Sequence, residues 1–262
     1  MPGRILVTPA DADGIVRVTV SHPGKLNALS VAMWHGLREA FAPLAAATAA
    51  EGPRVVIVAG EGGAFAAGGD IEEFPSFRFD TGTLRHFHEA VVAPALQAVL
   101  DCPLPVIACI EGPCVGGGLE IAACCDLRIA SADSRFGIPI ARLGFPLAPL
   151  EAQMVSRVVP LPLLAELLLE ARLLDAAEAL TRGLVHRVVP EGEAAAAAQD
   201  SARRMAALSP QAARLNKATL RQVARGGPTE AERLAHYAYA DSAEHREGLA
   251  AFLDKRPPRF TP

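Results

Sequence analysis

The stretch Pro105 to Ile121, PVIACIEGPCVGGGLEI, constrains this chain more than any other. An apolar, β-branched run over Pro105–Ile110 predicts a strand and Glu111-Gly112-Pro113 a turn, after which Gly116, Gly117 and Gly118 lead at once into an amphipathic helix carrying Glu120. A helix start leaves its first four N–H groups without intrahelical partners and carries the positive end of the helix dipole, so negative charge developing on a ligand is stabilised there. Three glycines remove the Cβ atoms that would hold a ligand off those donors.

Nucleotide-binding signatures do not fit this junction. A dinucleotide fingerprint needs a glycine at the sixth position from Gly116, which is Ile121, and a P-loop needs Lys and then Ser or Thr where Gly118 is followed by Leu119-Glu120. Close helix–strand packing with no ligand is the alternative for a single triplet. A second loop of the same kind weighs against it. Arg54–Ala59 (RVVIVA) is a continuous apolar run, as in a strand buried on both faces, and it feeds a glycine-rich loop ending Gly68-Gly69-Asp70. Amides from two such loops can converge on one oxygen, which builds an oxyanion hole without side chains.

The remaining pattern is α/β. Ile5-Leu6-Val7 and Gly14–Val20 predict a hairpin, Ser30 caps a helix to about Ala50, and helical periodicity covers Thr81 to Asp101. His86 and His88 lie two apart in that helix, point in different directions and read as surface or rim residues rather than a metal pair. Asp126–Ala130 and Ser134–Gly137 predict short strands. Beyond Pro146 the chain turns helical, over Leu161–Glu170, Asp175–Arg182, Glu191–Leu208, Ser209–Arg225 and Thr229–Asp254, with one strand at Val185–Val189. The apolar fraction of 51% with only 5% aromatic means that Ala, Leu and Val fill the core, and a net charge of −4 gives no field for nucleic acid or an anionic membrane. No apolar run reaches the roughly 18 residues of a membrane span, and Met1-Pro-Gly-Arg is not followed by the apolar stretch of a signal peptide. Five cysteines without a CxxC pair read as reduced, buried thiols of a cytoplasmic protein.

Four segments in order, HPGKLNALS, GAFAAGGDIEEF, PVIACIEGPCVGGGLEIAACCDLRIASADSRFGIP and AFLDKRPPRF, resemble the crotonase, or enoyl-CoA hydratase/isomerase, superfamily over nearly the whole chain. The resemblance implies a crotonase-like (ClpP/crotonase) spiral of repeated ββα units over residues 1–200 and a helical region over residues 201–262 that builds a homotrimer or a hexamer. It implies an acyl-CoA thioester as substrate, with CoA arriving as part of it, and no metal or other cofactor. By the same resemblance Gly69 and Gly117 donate the two oxyanion N–H groups. Ala66, Ala67 and Gly68, with Asp70 and Ile71, edge the CoA channel; Lys25, Leu26 and Ala28 follow the pantetheine and phosphates; Gly116 and Ile140 complete the substrate-binding set. Lys255 or Phe260 contacts CoA, that of a neighbouring subunit included.

Carboxylates decide the reaction, and here the resemblance is incomplete. Glu120 matches the first hydratase glutamate. The second follows FGxP directly in hydratases, whereas Phe136-Gly137-Ile138-Pro139 is followed by Ile140, and a further acidic position of some relatives is Ala148. Glu151 is the nearest substitute, at the start of the next predicted helix. The resemblance thus implies an enoyl-CoA hydratase-type lyase. Ile140 keeps open an isomerase or acyl-CoA decarboxylase of the same family, or a CoA-ester-binding protein without catalysis. For Glu120 itself burial raises the pKa and the helix start lowers it, so sequence leaves its ionisation open.

Overall fold

The computed structural model describes residues 1–46 and 52–260. Strands β1 (Arg4–Thr8) and β2 (Ile15–Ser21) form the antiparallel hairpin, with Arg4 opposite Ser21. Helix α1 (Val31–Ala45) starts where Ser30 accepts from the Met33 amide; the expected continuation over 47–50 lies outside the described residues. Then come β3 (Val55–Gly60), α2 (Thr81–His86), a π-helical turn over Phe87–Val92, and α3 (Ala93–Asp101), so the single predicted helix carries one wide turn. Next are β4 (Val106–Ile110), β5 (Pro113–Val115), α4 (Gly117–Cys124), β6 (Leu127–Ser131) and β7 (Arg135–Gly137). Helices α5 (Pro149–Val155) and α6 (Leu161–Leu169), strand β8 (Leu174–Asp175), α7 (Ala176–Thr181), β9 (Arg187–Val189), and α8 (Ala194–Ala206) follow. The chain ends in α9 (Pro210–Ala224), α10 (Glu230–His236) and α11 (Ala243–Leu253).

Two sheets result. The larger runs β1-β2-β3-β4-β6-β9, parallel beyond the hairpin; the smaller runs β5-β7-β8 and is extended by a bridge from Ala66 to Cys114. Successive central turns of the chain give one strand to the first sheet, one to the second, and then a helix, as β4, β5 and α4 do and again β6, β7 and α5. That is the expected ββα spiral. The short β8 escaped the sequence reading because two residues carry no periodicity.

The all-apolar β3 shows why the sheet needs two covers. Val56 and Val58 face the main core, with Trp34 and Leu37 of α1 and Leu96 of α3, while Val55, Ile57 and Ala59 face the other side. There Ala194, Ala198, Ala202 and Ala206, one stripe of α8 at helical spacing, lie on the sheet. Small side chains let that helix approach closely. The stripe spans residue 200, so the sheet-covering helix extends past the expected boundary between core and helical region. Farther on, Lys217 of α9 is buried and donates to Leu104 O at 2.6 Å and to Asp126 Oδ2 at 2.5 Å, tying the C-terminal helices to the start of β4 and β6.

Candidate active site

The two glycine loops lie against each other. Ala66 N donates to Pro113 O at 2.9 Å, and Val115 N donates to Ala66 O at 3.0 Å. Gly118 makes this approach possible, since a Cβ there would stand 2.5 Å from Ala66 O. Gly116 turns the chain into α4 at φ 52° and ψ −121°, a combination that side chains resist. Asn27 holds the first loop from behind: buried, at a positive φ of 57°, it donates to Glu61 O at 2.8 Å and to Ala64 O at 2.7 Å.

Which amides stay free follows from this bonding. Leu29 N donates to Gly68 O at 2.7 Å and Asp70 N donates to Leu29 O at 2.8 Å, so the peptides on either side of Gly69 serve Leu29 and the Gly69 N–H points the other way. The Gly117 N–H, first in α4, has no intrahelical acceptor; the first such bond is Glu120 N to Gly116 O, 3.0 Å. Gly69 and Gly117 both line one cavity of about 120 Å³, together with Gly116, Gly68, Ala67 and Glu120.

Glu120 is 8% exposed and faces this cavity from the first turn of α4. Its carboxyl is pushed up to about 8, by burial first and by the charge of Glu151 second, with Arg78 pulling the other way. Of the two opposing influences visible in the sequence, withdrawal from water prevails, and at neutral pH the group holds a proton.

The far wall is made of side chains, among them Glu151, the substitute carboxylate named from the sequence. Glu151 is 1% exposed and lines the cavity; His88 Nδ1 lies 2.9 Å from its Oε1 and donates to it, while Oε2 is buried without a partner. His88 is therefore not a free surface residue but part of the cavity wall, its side chain 20% exposed. The π turn over Phe87–Val92 brings Phe87, His88 and Val92 to the cavity together, while His86 stays exposed. Arg78, after a 3₁₀ turn over Ile71–Ser76, lies between Phe74 and Phe145 and completes the wall. A π turn leaves no signature in composition, and a buried glutamate in a helix's first turn reads like a solvated one. Their only signal was that Glu151 is an acidic residue close after the site's own missing glutamate.

Of the remaining predicted residues, Ile71 and Ile140 line the cavity, whereas Lys25, Leu26, Ala28, Ala66 and Asp70 do not. Lys25 Nζ is engaged by Asp70 Oδ2 and Glu72 Oε2, both at 2.8 Å, on the outer side of the loop. Leu26 is exposed and its carbonyl accepts from Ala67 N at 3.0 Å. Lys255 and Phe260, in the C-terminal tail, do not line the cavity either.

Comparison with known proteins gives a consistent picture. The model of the enoyl-CoA hydratase/isomerase family matches residues 10–262. A provisionally named enoyl-CoA hydratase of Thermus thermophilus is 34% identical over 247 residues, 93% of this chain and 96% of that protein. The crystal structure of an enoyl-CoA hydratase/carnitine racemase from Magnetospirillum magneticum superposes with a TM-score of 0.92 at 40% identity, covering 100% of this chain and 96% of that one. A provisionally named enoyl-CoA hydratase/isomerase family protein from Hyphomonas neptunium gives 0.89 at 32% identity, covering 100% and 98%.

Proposed function

The chain belongs to the enoyl-CoA hydratase/isomerase family, and we propose that it adds water to a 2-enoyl-CoA thioester, with CoA arriving as part of the substrate. One observation carries the reading: two unpartnered backbone amides, Gly69 and Gly117, and two buried carboxylates, Glu120 and Glu151, line a single small cavity.

The thioester oxygen accepts from the Gly69 and Gly117 amides. As the oxygen of water bonds to the β-carbon, the π electrons move toward the α-carbon and the thioester oxygen, and the negative charge of the resulting enolate falls on the atom those amides hold. Each such donor is worth about 3–4 kcal/mol of barrier. Glu151, steadied by His88 and with an oxygen to spare, takes the proton released by the water. Glu120, protonated at neutral pH, gives its proton to the α-carbon. Hydroxyl ends on one carbon and hydrogen on the next, and the proton left on Glu151 returns to Glu120 before the next turnover.

A second reading, migration of the double bond, rests on Ile140, an apolar side chain at the position where hydratases carry their second glutamate. Glu120 would then move one proton between two carbons without Glu151. Incubation with 2-enoyl, 3-enoyl and malonyl-type thioesters separates these reactions. Loss of the conjugated enoyl absorbance of crotonyl-CoA, abolished in Glu120→Gln and strongly reduced in Glu151→Gln, is the expected result; no turnover of the 2-enoyl thioester removes the hydratase reading.

The helical region is proposed to join copies of the chain into a homotrimer or hexamer. Leu220, Val223, Leu234, Leu249, Phe252 and Leu253 are exposed on α9 to α11, an apolar surface that association would cover. Sedimentation of a monomer at micromolar concentration would remove that proposal.

A further inference from the structure

Arg78 has no task in the hydration of a simple enoyl group. Its guanidinium lies over the rings of Phe74 and Phe145, 4.1 and 3.8 Å from their centroids, and those rings meet edge to face 5.9 Å apart. Neither ring contact uses up any of its N–H donors. Its Nε is buried without a hydrogen-bond partner, and Glu120 and Glu151 act on it only through space.

The other inward-facing arginines differ. Arg128 donates to the carbonyls of Leu184, Ala122 and Cys125, Arg221 donates to Cys102 O, and Arg172 and Arg182 pair with Glu166 and Glu178. Among the described residues, Arg78 is held by rings alone and lines the reaction cavity. A guanidinium partly withdrawn from water, with donors unfilled and its orientation fixed, is preorganised for an anion from outside.

We infer that the substrate's acyl group carries a carboxylate at the end remote from the thioester, and that Arg78 receives it. The inference rests on the acyl-CoA reading of the site and narrows it. Thioester oxygen at the Gly69 and Gly117 amides and carboxylate at Arg78 fix the acyl group at both ends, with the α and β carbons between them against Glu120 and Glu151. Gly69, Gly117, Glu120, Glu151 and Arg78 all line this one cavity, so both ends of a short acyl chain fall within it. The rings of Phe74 and Phe145 exclude water from the pair, which strengthens it. Because Glu120 carries a proton at neutral pH, the incoming anion does not meet two charged glutamates.

Titration calorimetry with two unreactive saturated thioesters, butyryl-CoA and its analogue with one added terminal carboxylate, glutaryl-CoA, tests this without catalysis. The protein is expected to bind glutaryl-CoA about 100-fold more tightly, as a desolvated charge pair requires. Arg78→Met brings the ratio of the two affinities to about 1, and Arg78→Lys, a point charge without the planar fork, leaves it at about 10. Thermal melting checks that each variant folds, and Arg78→Lys carries the comparison if Arg78→Met does not. Butyryl-CoA bound as tightly as glutaryl-CoA by the unaltered protein, or a ratio unmoved by either substitution, overturns the role of Arg78 while leaving the acyl-CoA site standing. Binding of neither thioester overturns both.

Discussion

The two sides of the cavity are made from different materials. One side is backbone: the amides of Gly69 and Gly117, freed by the bonding around Leu29 and by the start of α4. The other is side chain: Arg78, His88 and Glu151, delivered by a 3₁₀ turn, a π turn and the first turn of α5. A backbone site can only be built where glycine permits it, so it marks the sequence. A side-chain wall takes its meaning from burial, which ordinary charged residues do not advertise. In the proposed reaction the backbone side holds the carbonyl oxygen that turns negative, and the side-chain wall sets what else the substrate carries and where its protons go.

Glu120 sits at the seam of the two, and its removal is the largest expected effect. Glu120→Gln should lower turnover of crotonyl-CoA by about 10³-fold or more with thioester binding retained; unchanged turnover would detach the backbone side from any chemistry. The same group gives a pH signature. Its folded pKa of about 8 lies above the ordinary 4.5, so the folded protein holds a proton that the unfolded chain releases. Stability from this group is therefore full below about pH 4.5 and lost as pH rises to 8. The melting temperature of Glu120→Gln should gain on that of the unaltered protein across this interval. Activity that needs the protonated acid should fall above about pH 8.

Glu151→Gln probes the wall alone. A loss of about 100-fold in kcat, with KM little changed, is expected if this carboxylate takes the water's proton; full activity would return the chemistry to Glu120 acting singly, as Ile140 suggests. Gly118→Ala probes the backbone side. The new methyl meets the Ala66 carbonyl at 2.5 Å, and a melt should report about 1–3 kcal/mol of lost stability. A neutral result would mean that the two loops are not held at this separation. The smallest effect is expected from His88→Ala, about 10-fold in kcat, because Glu151 loses the donor that steadies it. An unchanged kcat would make His88 a packing residue only.

Legibility in the sequence followed the same division. The apolar strands β3 and β4, the hairpin, the Ser30 and Thr229 caps, and the glycine junctions could all be read, because periodicity and backbone chemistry fix them locally. The helices α8 and α9 were read to within a few residues for the same reason, whereas the single helix expected over Thr229–Asp254 is broken into α10 and α11 by a 3₁₀ turn over Tyr237–Tyr239 and a fresh cap at Ser242. The inward turn of His88 was not legible because a π turn leaves no mark in the sequence, and Arg78 was not singled out because a loop arginine between two phenylalanines looks exposed until Phe145, 67 residues on, folds over it. The Glu120 pKa also had to await the fold, since the balance of burial against the helix start depends on Glu151 and Arg78.

Enolate protonation at the shared cavity can be read directly by running the reaction on crotonyl-CoA in D₂O and locating deuterium in the recovered thioester by NMR. The unaltered protein should introduce one deuterium at the α-carbon, and Glu120→Gln should introduce none above the buffer background. Deuterium entering the α-carbon as fast in Glu120→Gln as in the unaltered protein would contradict the claim that amides and acid serve one enolate.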